Sequence, residues 1–222
     1  MSDANDQNHQ NHQIDHHTIK LLVGVIAITL AWLTSAFSNS TLTSISAAYY
    51  EGGWSQVIFI GFLFAISALM LAYNGYTRVE MVLCKVAALC AICIAMFPCR
   101  CVDREEIVEG LHGGAAIVLF LILAYLCWGF YQRAHAKPSR QAHWRSWIYL
   151  ACGVAMLVSI VSLAVETFTQ GGLTKLMARF VFYGEALGLV AFGVSWLTAS
   201  RTLPFLTTKE ERFSPLRPNT PE

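Results

Sequence analysis

Six apolar runs of about 20 residues alternate along the chain with short polar segments. They are Ile19 to Phe37, Val57 to Tyr76, Met81 to Pro98, Gly113 to Tyr131, Trp147 to Val165 and Phe180 to Ser200. At about 1.5 Å per helical residue, each run matches a hydrocarbon core of about 30 Å. The pattern predicts an all-α polytopic membrane protein, with six transmembrane helices filling residues 19–200. Residues 1–18 read as a disordered polar tail rich in His, Asn and Gln, and residues 201–222 as a flexible tail.

Composition supports this class. Of 222 residues, 55 % are hydrophobic and 13 % charged, against about 25 % charged in soluble domains. A net charge of +1 gives no overall basic face for nucleic acid. No basic segment precedes the first apolar run, which is long enough to span, so it reads as a helix rather than a cleaved signal. His9, His12, His16 and His17 are candidate transition-metal ligands in an otherwise solvated tail.

The cations set the orientation. With six spans, the face that carries both chain ends receives eleven Lys and Arg, and the other only four, Arg100, Arg104, Lys175 and Arg179. The positive-inside rule places both termini in the cytoplasm, with a bacterial inner membrane as the expected host. Trp128, Trp144, Trp147 and Trp196 fall near the inner boundary and Trp54 near the outer one, as an aromatic belt requires.

Counting from the cationic ends locates the polar residues by depth. His112 and Glu166 come out at the outer boundary, and Glu185 about 5 to 8 Å beneath it. A carboxylate in hydrocarbon needs an interior position and a partner, which makes Glu185 a candidate site residue. Arg179, His112, Arg100 and the hydroxyls of Ser44 and Ser46 are its possible partners. One reading is a pocket in which His112 and Glu185, with Glu166, serve as acid and base or hold a metal. The other is structural pairing of Glu185 with an arginine. One histidine and two carboxylates make a thin metal set, and no metal site is assigned.

Most of the seven cysteines sit in apolar runs and behave as small hydrophobes. Cys90 and Cys93 have redox spacing but no nearby base. Cys99 and Cys101 are accessible and flank Arg100, which suits thiol or soft-metal chemistry; bridged to each other they would close a small, strained ring, so a disulfide is not expected. Lys85 reads as a snorkelling side chain. Gly184 with Gly188, and Gly110 with Gly114, have the spacing for close helix contact. Asn39-Ser40-Thr41 fits a glycosylation sequon, and the basic loop 132–146 could touch anionic headgroups. No phosphate-binding glycine loop, nucleophile elbow or metalloprotease helix is present, and no cofactor is implied.

Ser44-Ile45-Ser46-x-x-Tyr49, Phe59-x-Gly61, Phe97-Pro98 and Leu111-His112-x-x-Ala115-x-x-x-x-Phe120 together resemble the six-span bacterial membrane family allied to the FRAG/DRAM proteins. The resemblance covers residues 19–200. It implies one six-helix domain with an outer-leaflet cluster, and relatives associated with lipid organisation, lipid remodelling or autophagy control. Ser46, His112 and Glu185 are the positions it carries over, without a catalytic role. Seven-span ceramidase-like hydrolases do not match, because they place several histidines in the membrane.

The expected function is therefore non-catalytic: binding of membrane lipid, of a partner membrane protein or of a larger membrane complex. The expected ligand-binding residues are His112, Glu185, Arg100, Arg179 and Tyr49. The alternatives are a lipid hydrolase using His112 and Glu185, with Glu166 and with Ser46 or Tyr49 supplying a hydroxyl, and thiol or metal handling at Cys99 and Cys101.

Overall fold

A computed structural model describes residues 16–100, 107–208 and 211–214. Its helices are α1 (His16–Ala36), α2 (Ala48–Glu51), α3 (Gly53–Ala72), α4 (Arg78–Met96), α5 (Leu111–His135), α6 (Arg140–Phe168), α7 (Gly172–Leu176) and α8 (Phe180–Ala199). No strand occurs among the described residues. All but α2 and α7 are long and apolar enough to cross a membrane. The chain is a six-span, multi-pass integral membrane protein.

Each spanning helix packs on its sequence neighbour, and α8 closes the ring against α1. His17 at the start of α1 bonds through Nδ1 to the carbonyl of Ser200, just past α8, at 3.1 Å. At the opposite end, Phe182 N–H donates to the Thr43 carbonyl at 3.1 Å. Both chain ends of the bundle thus lie on one face, here called the chain-end face. The other is the far face.

Helices in lipid gain no hydrophobic drive from packing on each other, so small residues and buried hydroxyls hold them together. At the α1–α8 seam the backbones are in contact: a Cβ on Gly193 would lie 2.7 Å from the Gly24 carbonyl, and one on Gly24 2.8 Å from Leu197 N. Of the glycine pairs expected from spacing, Gly184 and Gly188 do pack tightly, on α6 and α5, whereas a Cβ on Gly110 or Gly114 would meet open space. Ser55 donates to the Thr34 carbonyl, Ser67 to Ala88 and Ser159 to Gly184, at 2.9, 2.9 and 2.6 Å. Met70, Leu123, Leu126, Met156 and Trp196 fill the interior. Trp196 is therefore a core residue and not part of the boundary belt; Trp54, Trp128, Trp144 and Trp147 are exposed.

Three boundaries differ from the apolar pattern. α1 begins at His16. α5 and α6 run beyond their apolar cores and shorten the basic loop to residues 136–139, because Ser139 caps α6 by accepting from Ala142 N–H. The segment after α8 is docked where described: Leu206 and Thr207 are buried, and Phe213 N–H donates to the Arg201 carbonyl.

Candidate functional site

On the far face, the chain between α1 and α3 turns inward, so that Leu42, Ser44, Ile45, Ser46, Ala47 and Ala48 are all buried. Non-helical backbone at membrane depth requires internal partners for its polar groups. Helix α8 supplies most of them. Glu185 Oε2 accepts from the N–H groups of Ile45 and Ser46, and Oε1 from the Ser46 hydroxyl at 2.7 Å. Ser44 Oγ accepts from Ala47 N–H, and the Phe182 N–H, otherwise without an intrahelical partner, takes the Thr43 carbonyl.

Arg179 completes this clamp. It begins α8 with φ of +63°, a left-handed conformation that costs a non-glycine residue roughly 1 kcal/mol or more. Its guanidinium donates to the Leu42 carbonyl at 2.9 Å and lies 4.2 Å from the Phe182 ring centre. The side chain and the inserted loop hold each other in place. Among the described residues no arginine pairs with Glu185; the carboxylate serves the loop.

His112, at the start of α5, donates from Nδ1 to the Phe97 carbonyl at 2.8 Å, closing the end of α4. Its imidazole is near enough to Glu185 to interact electrostatically. Ser46 with Ser44 from one stretch of sequence and His112 from another thus lie near one carboxylate. Glu166 serves a different end: it accepts from the N–H groups of Leu173 and Thr174 and from the Thr174 hydroxyl, capping α7. Tyr49 lies edge-on to Tyr50, whose hydroxyl donates to the Cys99 carbonyl. Arg100 is exposed.

Cys99 is disulfide-bonded, contrary to expectation, while Cys101 and Arg104 lie outside the described residues, as do His9 and His12. A bridged sulfur offers no thiolate. Cys84, Cys90, Cys93, Cys127 and Cys152 are free. Among the described residues, no three His, Cys, Asp or Glu side chains come together as a metal site. Lys85 does more than snorkel, since its ammonium donates to the carbonyls of Leu71 and Tyr73 at the end of α3.

The second polar site is on the chain-end face. A cavity of about 370 Å³ is lined by Lys20, Arg133, Lys137, Arg145 and Arg201, with Tyr76, Phe130 and Tyr149. Lys20 is 1 % exposed. It donates to the Tyr76 hydroxyl at 3.3 Å and lies 4.9 to 5.7 Å from the ring centres of Tyr73, Tyr76 and Phe130. No ion pair to Lys20 or Arg201 occurs among the described residues.

Among the described residues, two carboxylates pair with cations of the cavity. Thr77-x-x-Glu80 is a capping box: Thr77 accepts from Glu80 N–H, and Glu80 reaches back to Tyr76 N–H at 2.8 Å. The other oxygen of Glu80 accepts from Arg133 at 2.5 Å, and Arg133 Nη2 is left without a partner. A Cβ on Gly129 would lie 3.0 Å from that Glu80 oxygen, so glycine there makes room for the pair. Glu211 bridges Lys137 and Arg145, the latter at 2.9 Å. This cavity was only partly visible in the sequence as the basic loop, because Lys20 and Arg201 join it from opposite ends of the chain.

The fold and these two sites define a six-helix integral membrane protein with a self-satisfied clamp on one face and a cationic cavity on the other. No family model, curated protein or solved structure matches the chain.

Proposed function

We propose that the protein binds membrane lipid without catalysis, with the cationic cavity of the chain-end face receiving an anionic headgroup. The observation that carries this reading is the convergence of five cations and three aromatic rings on one cavity of about 370 Å³ at the ends of spanning helices. Basic pockets between helices at the membrane boundary suit anionic headgroups, and the volume falls in the range of small-molecule sites. The excess of Lys and Arg on this face supports a cytoplasmic position for it.

The far-face cluster then has a scaffold role. Both oxygens of Glu185 are occupied by Ile45 and Ser46, so using it as an acid or base would release the inserted loop.

Native mass spectrometry after extraction from membranes of mixed phosphatidylcholine and phosphatidylglycerol tests the proposal. Preferential retention of phosphatidylglycerol, lost in Lys20→Met with Arg201→Gln, is the expected result. Equal retention of both lipids, unaffected by the substitutions, overturns it.

A further inference from the structure

We propose that Glu211 is an intramolecular ligand of this cavity, holding the place of a headgroup phosphate between Lys137 and Arg145, so that the docked C-terminal segment and the anionic ligand exclude each other. The inference rests on the reading of the cavity as an anion site.

The two acids that meet the cavity cations are held very differently. Glu80 is built into the first turn of α4 through the capping box, is 4 % exposed, and belongs to the scaffold. Glu211 arrives on a non-helical segment beyond the last span. Its first part, with Leu206 and Thr207 buried and the Leu206 carbonyl accepting from Arg145 at 2.6 Å, is packed on the bundle. Beyond that, the described residues are held by the Glu211 ion pairs, by Phe213 N–H donating to the Arg201 carbonyl, and by Phe213 stacking on His17 with ring centres 5.2 Å apart.

At the cation end the geometry is that of oxyanion recognition. One Glu211 oxygen takes the Lys137 ammonium and the other an Arg145 guanidinium nitrogen. Arg145 is 3 % exposed, so a nearly buried guanidinium is met by a carboxylate from a segment outside the helical scaffold. Phosphate oxygens bind such a Lys and Arg pair in the same way, with an additional oxygen for a third cation. Arg133 and Arg201 also line the cavity, and among the described residues Arg201 makes no ion pair and Arg133 only that to Glu80, so a phosphate there has further cations to meet. Binding energy gained from them offsets undocking of the segment.

The test uses the full chain in nanodiscs of phosphatidylcholine, with and without phosphatidylglycerol, and compares it with Glu211→Gln. Two quantities are read: affinity for the anionic lipid, and hydrogen exchange at Phe213, whose amide is bonded to Arg201. Removing a competitor that occupies most of the population tightens apparent affinity by roughly three- to tenfold. We expect that gain in Glu211→Gln, together with faster Phe213 exchange in the unsubstituted protein when phosphatidylglycerol is added. A parallel titration with inorganic phosphate separates the sources of the oxyanion: the same effects from free phosphate alone support the exclusion with a soluble ligand. Lipid binding that is equal in both proteins, with Phe213 exchange unchanged, overturns the exclusion and leaves the cavity reading standing. Absence of binding to either lipid or phosphate in both proteins overturns the cavity reading and the exclusion together.

Discussion

The Ser46 hydroxyl donates to Glu185 Oε1 at 2.7 Å across 139 positions of sequence, while the other carboxylate oxygen receives the backbone of the same inserted loop. A carboxylate deep in a spanning helix is thereby satisfied without a cation, and a loop is held between helix ends without secondary structure of its own.

Glu185→Ala leaves two buried N–H groups unpartnered, at about 1 to 3 kcal/mol each. We expect loss of several kcal/mol of stability, read as a lowered midpoint of thermal unfolding in detergent. Ser46→Ala costs about 1 kcal/mol. Glu185→Gln with His112→Ala lowers the midpoint but retains lipid; loss of lipid at an unchanged midpoint contradicts the clamp.

The α1–α8 seam predicts a sharp positional contrast among glycines. Gly193→Ala forces Cβ against the Gly24 carbonyl and Ile28 and costs about 1 to 3 kcal/mol as overpacking. Gly114→Ala, facing open space, is neutral or slightly favourable for the helix. Size-exclusion profiles and thermal midpoints of the two variants in detergent check the contrast.

Arg133→Met strands the buried Glu80 carboxylate and costs about 3 kcal/mol or more. The double change with Glu80→Gln restores much of that loss, because the uncompensated charge is removed. A double-mutant cycle on thermal midpoints measures the coupling. Independent, additive effects contradict the ion pair.

Glu211 gives the docked segment a pH dependence. Its hydrogen bond from Lys137, helped by Arg145, outweighs partial burial and holds the carboxyl down at about 2, against an ordinary 4.5. Because the docked value is lower, the contribution to docking is complete above about 4.5 and disappears as pH falls through about 2. The protection factor of the Phe213 amide, its exchange rate divided into the intrinsic rate at the same pH, is therefore expected to fall below about 4.5 in the unsubstituted protein and to stay flat over that range in Glu211→Gln.

Six helices, the apolar core of each and the unequal cation distribution were all readable from the sequence, because the hydrocarbon imposes a minimum length and an apolar composition on each span separately. Depth counting also marked Glu185 as a carboxylate in need of a partner. The partner itself was a tertiary matter. Ser46 was one candidate among several, and only the inward turn of residues 42–48 decides that Glu185 serves loop backbone instead of Arg179 or a metal. The same holds for Trp196, an aromatic at boundary spacing that the ring of helices turns inward. It holds for Gly24 and Gly193 too, whose contact depends on α8 returning to α1. The cationic cavity gathers Lys20, Arg133, Arg145 and Arg201 from four stretches of chain, and charge spacing along a sequence carries no information about which helix ends become neighbours.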